Sequence, residues 1–496
     1  MIKWLLKTIA ICIASFLGVL VVAYGLLALL SLQKAQLDPE VAAFLQREPI
    51  AVAPERNGFY YWRGLTAPAG ENPIEYGRRS IAELGRQSPA ADSDTARAEQ
   101  ELRLVHDRKI LCHPANQMPC LVLARQNAAQ VRELAKGNAE LLRRYVALLQ
   151  FDQFATDMPV LDPMDPWPMS WVEQINLFVM ARTLDAVDVS EGKSAEALNR
   201  LANRVRFLRG MYANSADLVD RVMAQALLTK DLEFLVEVAV AAPNSAKVAA
   251  AQVSAIAAPM TTAERSSLKW IRDELSKKFE WIDPGNPRAW KYQVCQAFFE
   301  DDFFNILVMG NGTLEERCGR WDVRVLALAG APLIDRNAVA NRWFQAIRQL
   351  REINGLDTFS YLGRFREVVA AAESRQQADA RWRLRNPVGG WIGTKLSTDL
   401  VAAYKSHHFG PIDLDRLFAL TRLAVGLIQD RIKEGDIAAY LKRPGVLDPA
   451  TKQPFGWDAA RRQVFFVPLD PNSAPRGRVG GIDGRVGRSL NSLVER

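Results

Sequence analysis

Between Lys7 and Lys34 the chain carries no charged residue, and Thr8 to Leu32 is almost continuously apolar. Crossing a hydrocarbon core of about 30 Å takes roughly 20 helical residues, so residues 8–33 are predicted as a transmembrane anchor with some tilt. Gly18 and Gly25 within it are tolerated by a membrane helix. The run is longer than the apolar core of a cleavable signal. The flank Leu29-Leu30-Ser31-Leu32-Gln33-Lys34 also lacks the small-residue pattern at which such signals are cut. Lys3 and Lys7 precede the span, so the positive-inside rule predicts residues 1–7 as a cytoplasmic tail and export of the rest.

After the span the pattern changes twice. Residues 34–110 form a mixed, Pro/Gly-rich region. A short helix is expected from Leu37 to Gln46, opened by Asp38 as N-cap with Pro39 at the first helical position. Pro49, Pro54, Gly58, Gly64, Pro68, Gly70, Pro73 and Gly77 then punctuate too often for long elements.

From about residue 120 the apolar positions recur at helical spacing. Leu134, Leu141, Tyr145 and Leu148 form one stripe; Trp171, Ile175, Phe178, Ala181 and Leu184 a second; Leu198, Leu201, Val205, Leu208 and Tyr212 a third. Thr261-Thr262-Ala263-Glu264 reads as a capping box that opens the helix carrying Trp270. Further helices are expected near 287–308, 337–353, 357–384, 396–406 and 412–441, joined by short loops as helix hairpins. No fixed repeat period emerges, so residues 111–443 are predicted as an irregular multi-helix domain. The turn-rich Asp448-Pro449 to Gly456-Trp457 and the strand-like Arg462 to Val467 predict a small C-terminal β-hairpin over 444–470. Residues 471–496, with Gly-Arg-Val-Gly at 477–480 and 484–487, are expected to be a disordered Arg/Gly tail. The predicted fold class is therefore mostly α: an N-terminal transmembrane helix, a helical exported domain and a small β-hairpin.

The net charge of +7 and pI near 9.1 do not imply nucleic acid. Arg476, Arg478, Arg485, Arg488 and Arg496 against Asp483 and Glu495 put nearly half the excess in the tail. A nucleic-acid groove needs basic residues clustered with aromatic platforms on a structured face. An Arg tail could instead touch anionic headgroups or cell-wall polymer.

Cys12 lies in the span, and Cys112, Cys120, Cys295 and Cys318 fall on the exported side, where disulfides persist. Their spacing favours local bridges, Cys112–Cys120 and Cys295–Cys318, although four cysteines allow three connectivities. His113 beside Cys112 raises a metal or redox alternative. The seven-residue spacing is not that of a thiol oxidoreductase, and four histidines in the whole chain make a poor ligand supply. No cofactor and no metal are expected.

Candidate chemistry is sparse. Phe59, Tyr60, Tyr61 and Trp62 form an aromatic cluster that reads either as a loop capping the end of a helical core or as a platform for a sugar or partner. Asp157, Asp162 and Asp165 lie in a stretch with Pro159, Pro163, Pro166 and Pro168. The EF-hand spacing is absent, so a rigid connector is expected. His106 and His113 sit near the cysteine loop, and His407-His408 read as a helix terminus before Gly410-Pro411. None accompanies a nucleophile elbow or a paired-histidine metal motif.

Glu373-Ser374, in Val368-Val369-Ala370-Ala371-Ala372-Glu373-Ser374, resembles the Glu-Ser pair of soluble lytic transglycosylases. That resemblance implies peptidoglycan cleavage with Glu373 as single general acid, on a helical periplasmic scaffold. Asn386-Pro387-Val388-Gly389-Gly390-Trp391 stands where that family carries a glycine-leucine-methionine-glutamine motif, so the substrate-cleft signature is missing. The Cys112…Cys120 pair, Leu141-Leu142-Arg143-Arg144-Tyr145, Asn386-Pro387-Val388-Gly389 and Asp448-Pro449…Pro454-Phe455 resemble uncharacterised, single-span, mostly helical envelope proteins of Gram-negative bacteria. That resemblance implies an architecture and no reaction. The expectation is a membrane-anchored periplasmic protein acting by binding, its partners being inner-membrane lipid and other envelope proteins or peptidoglycan. A peptidoglycan-active enzyme using Glu373 and an assembly or chaperone-like factor are the alternatives.

Overall fold

The computed structural model describes residues 2–32, 34–46, 50–84, 101–113, 118–159, 171–285, 290, 327–378, 386–469 and 486–490. The apolar N-terminal run forms one helix, α1 (Ile2–Leu30). Its segment Ile11–Leu30 has a mean hydropathy of 2.5 and no fully buried residue, and it is long and apolar enough to cross a membrane. A helix that is apolar all round suits hydrocarbon, because its backbone groups are satisfied within the segment.

Helix α2 (Pro39–Leu45) starts as expected, with the Asp38 carboxylate accepting the Glu40 N–H. The stretch after it departs from expectation. Instead of loops, it holds α3 (Gly58–Arg63) and α4 (Pro73–Leu84). Gly64 and Gly77 are packing positions rather than breakers. A Cβ on Gly64 would lie 1.8 Å from the Pro73 carbonyl oxygen, and one on Gly77 would lie 2.0 Å from that of Tyr60. Only glycine lets these two backbones approach so closely.

The helical bulk follows the predicted stripes, except that the first is split at Asn138 between two helices. It comprises α5 (Cys120–Gln126), α6 (Ala128–Gly137), α7 (Ala139–Leu148), α8 (Val172–Ser190), α9 (Ser194–Asn214), α10 (Leu218–Ala241), α11 (Pro243–Val248) and α12 (Ala250–Ile256). The capping box is present, with both reciprocal bonds between Thr261 and Glu264. It opens only the single turn α13 (Thr262–Arg265), however. The chain breaks at Ser266 and Ser267, and Trp270 belongs to the next helix, α14 (Leu268–Trp281).

Then come α15 (Arg336–Ile353), α16 (Thr358–Ala378), α17 (Pro387–Gln429) and α18 (Glu434–Tyr440). The expected break at His407-His408 does not occur: α17 continues through Pro411 to Gln429. Proline removes one backbone bond, but Gly410, Ile412, Leu414 and Leu417 beside it are buried, so packing carries the helix through. Apart from Trp290, the expected helix near 287–308 lies outside the described residues, as does the connector at 160–168.

The C-terminal hairpin pairs β1 (Gly456–Asp458) with β2 (Gln463–Phe466), Trp457 facing Val464. A third antiparallel strand, β3 (Val486–Ser489), extends it, with Phe465 opposite Gly487. This part of the expected disordered tail is thus strand. Tail residues 471–485 and 491–496 lie outside the described residues.

Two cores organise the helices. The larger joins α3 to α12, the second half of α17, α18 and the sheet, around Trp62, Phe178, Leu208, Leu235 and Phe418. The smaller joins α2, α14, α15 and α16 around Trp270, Trp343, Phe344 and Phe365, with Val388 and Phe409 of α17 packed against it. Helix α17 therefore runs from one core into the other.

Candidate functional site

The chain leaves α1 through a segment tied to the smaller core. The Lys34 Nζ donates to the carbonyls of Pro332 (3.3 Å) and Ile334 (2.5 Å). The Ala35 N–H donates to Asp335 Oδ2 at 2.6 Å, and the Asp38 N–H to Asn341 Oδ1 at 3.0 Å. In return Asn337 and Asn341 donate to the carbonyls of Ala35 (3.0 Å) and Gln36 (2.9 Å). Glu40 completes the seat with Arg348 (2.5 Å) and Arg351 (3.1 Å). Two N–H groups and two carbonyls of the linker are thus bonded by side chains at the start of α15. Burial lowers the Lys34 ammonium from its ordinary range, and Asp335 opposes that shift.

Asp335 itself is positioned twice over. Its side chain caps α15 through the Ala338 N–H at 3.0 Å, and its backbone pairs reciprocally with the Asn386 amide at 2.8 and 3.0 Å. Asn386 also accepts the Gly389 N–H at 3.1 Å, capping α17. The Asn386-Pro387-Val388-Gly389 motif is therefore a helix start that locks α15 to α17.

The aromatic cluster lies in the core. Phe59, Tyr60, Tyr61 and Trp62 are all buried in the larger core, and α3 makes them a helix rather than a loop. Asn57 sets that helix: it accepts the Phe59 N–H (3.1 Å) and pairs with Ala155 (2.8 and 2.9 Å). Phe59 meets Phe154 edge-on, and Trp62 meets Phe178 in the same way. Tyr60 donates its hydroxyl to Asp157. The reason is compositional: four aromatics in one short helix offer more apolar area than its exposure could tolerate, so the segment is drawn inward.

The same helix delivers Arg63, whose guanidinium stacks on Trp171 at 3.9 Å and pairs with Asp220 at 2.9 Å, both side chains essentially fully buried. Burial pushes the Asp220 carboxyl up to about 7 against the pull of Arg63, and Asp217 adds to the rise. Burial equally lowers the Arg63 guanidinium.

A longer charged array, missed in the sequence, crosses α8, α9 and α10. Asp231 accepts from Arg182 and Arg204, each at 2.9 Å; Arg204 reaches Asp185 at 2.7 Å. Arg200 bridges Asp185 (2.6 Å) and Asp188 (2.5 Å), and Arg132 bridges Asp188 (3.2 Å) and Glu191 (2.5 Å). The ladder starts fully buried at Asp231 and ends at Lys193, 53% exposed. The signal was present: Arg182 and Asp185 interrupt the otherwise apolar run from Leu177 to Val187, and a charge there must be paired.

Cys112 and Cys120 form a disulfide, Cα atoms 5.1 Å apart, as their spacing favoured. It docks on α8 through the Cys112 N–H to Thr183 (2.9 Å), and on α10 through the Leu121 N–H to Glu237 (3.0 Å). Burial lowers His113, with Arg108 and His106 adding to the shift. Cys295 and Cys318 lie outside the described residues. Glu373 sits on α16, and its side chain too lies outside them. Among the described residues no three His, Cys, Asp or Glu side chains gather as a metal set.

No protein-family model, no curated protein and no solved structure matches the chain.

Proposed function

We propose that the chain is a membrane-anchored protein of the Gram-negative envelope that acts by binding, its helical domain held against the outer face of the inner membrane. The observation that carries this reading is the seat. A free tether would leave residues 34–40 solvated, whereas here backbone groups of Ala35, Gln36 and Asp38 are paired with Asp335, Asn337 and Asn341. An anchor joined in this way fixes how the domain is presented at the membrane. Three features support the compartment. Ile11–Leu30 is long and apolar enough to span, Lys3 and Lys7 precede it, and the Cys112–Cys120 disulfide suits an oxidising space. The partners are other envelope proteins or peptidoglycan, met by the exposed helix faces.

Fusion of alkaline phosphatase or of a fluorescent protein that matures only in the cytoplasm, each after the last residue, tests the topology. An active phosphatase and a dark fluorescent fusion are expected; the opposite pattern overturns the reading. In-cell cross-linking followed by affinity purification and mass spectrometry then tests the role. Stoichiometric recovery of one envelope partner is expected, whereas recovery of peptidoglycan fragments alone would move the weight to Glu373. Glu373→Gln would then abolish wall hydrolysis without unfolding the protein.

A further inference from the structure

The seat has a membrane-facing edge. Tyr24, on the exported half of α1, donates its hydroxyl to the Ala329 carbonyl at 3.0 Å. The 3-10 turn Ala331–Leu333 packs against the same helix, where Leu27 and Ala28 are half-buried. Ala329, Pro332, Ile334 and Asp335 thus follow α1 and its linker in step with Tyr24, Lys34 and Ala35. With a rise of about 1.5 Å per residue, Tyr24 lies about 9 Å below Leu30 along the helix axis. If Ile11–Leu30 occupies the hydrocarbon, the Ala329 carbonyl bonded to Tyr24 lies about 9 Å inside its outer edge, among the acyl chains of the outer leaflet.

The segment is built to face that region. From Val325 to Ile334 the sequence carries no charge, between Arg324 and Asp335. Apolar runs of about 10–14 residues are too short to span and suit a core or an interfacial position. The inner side is held: the buried Trp290 indole donates to the Ala327 carbonyl at 2.8 Å, and Val388 lies beneath Gly330. The outer side is Leu328, which is 76% exposed although Ala327 beside it is buried. A leucine held outward by two fixed neighbours, level with a span, has one solvent that suits it.

We propose that the segment 327–333 is a second membrane contact, with Leu328 inserted among the lipids of the outer leaflet beside α1. The inference rests on α1 being a span. Its effect is to add a second point of attachment, so the domain is oriented on the bilayer rather than free to swivel about the helix axis.

The test places an environment-sensitive fluorescent amino acid at Leu328, Val21 or Val105 in the full chain. Each variant is reconstituted in phosphatidylcholine vesicles containing phosphatidylglycerol and exposed to lipids bearing a shallow or a deep nitroxide. All three positions are exposed on the protein, so the probe disturbs no core. Val21 reports the span and Val105 the aqueous domain. Leu328 is expected to be quenched by the lipid nitroxides within about twofold of the strongest quenching seen at Val21. Quenching at Leu328 no greater than at Val105 overturns the proposal while leaving the span intact. Absence of quenching at Val21 overturns the anchor reading itself.

Discussion

The two cores use polar groups in opposite ways. In the larger, charge is spent inward. Arg182, Arg204, Asp185 and Asp231 are buried and pair with one another across three helices, with Arg63–Asp220 a second buried pair nearby. In the smaller, the interior is aromatic and aliphatic, and the polar side chains of α15 turn to the backbone of the linker instead. Buried ion pairs gain little net stability over apolar packing, but they penalise every wrong register of the helices that carry them. Side-chain bonds to a linker do nothing for a core and much for its attachment. The difference teaches a division of labour: one core holds a defined helical body, and the other couples that body to α1.

The comparison breaks most sharply at the ladder. Asp231→Ala strands Arg182 and Arg204 in the interior and should cost about 3–5 kcal/mol, read as a fall in the denaturant midpoint. Arg132→Ala at the solvent end of the same ladder should cost less than about 1 kcal/mol. Equal losses at the two ends would remove the case for a buried array. The disulfide comes next. Replacing Cys112 and Cys120 by serine releases a short loop on α8 and α10 and should lower stability by about 2–3 kcal/mol, with the smaller core unchanged.

A subtler separation comes from pH. Burial raises Asp220 to about 7 and Asp413 to about 6, above the ordinary carboxylate range. The folded protein therefore holds protons that the unfolded chain releases above about pH 4. The stability these groups lend is complete below that pH and is lost as pH rises through 6 and 7. The melting temperature should fall between pH 5 and 8, and Asp220→Asn should flatten that slope. Glu140 and Glu191, held at about 2 chiefly by arginines, act in the opposite sense but below this window. A slope unchanged in Asp220→Asn would show that Asp220 does not titrate there.

What the sequence made legible was local. The apolar run, the Asp38-Pro39 helix start, the Thr261–Glu264 capping box and the Cys112–Cys120 pair are all written within a few residues, and each is present. What it concealed depends on distance. Gly64 and Gly77 look like breakers until Pro73 and Tyr60 are set against them. Pro411 looks like a terminus until burial of Ile412 and Leu414 is known. The strand Val486–Ser489 was hidden by arginines and glycines, and only pairing with Gln463–Phe466 makes it a strand. The seat joins residues some 300 apart, and no local pattern marks Asp335 or Asn341 as its partners. The aromatic cluster left two readings open, and burial of Phe59 to Trp62 takes the core one, in a helix rather than the expected loop.

The most direct test of the central claim is hydrogen–deuterium exchange of the full chain in a lipid disc, followed over the peptide spanning residues 34–41. If α1 is joined to the domain by an ordered seat, the Ala35 and Asp38 amides exchange as slowly as the first turns of α15, and Asp335→Ala with Asn341→Ala releases them without unfolding α15. Exchange at the rate of an unstructured peptide in the unaltered protein would contradict the account and make the linker a simple tether.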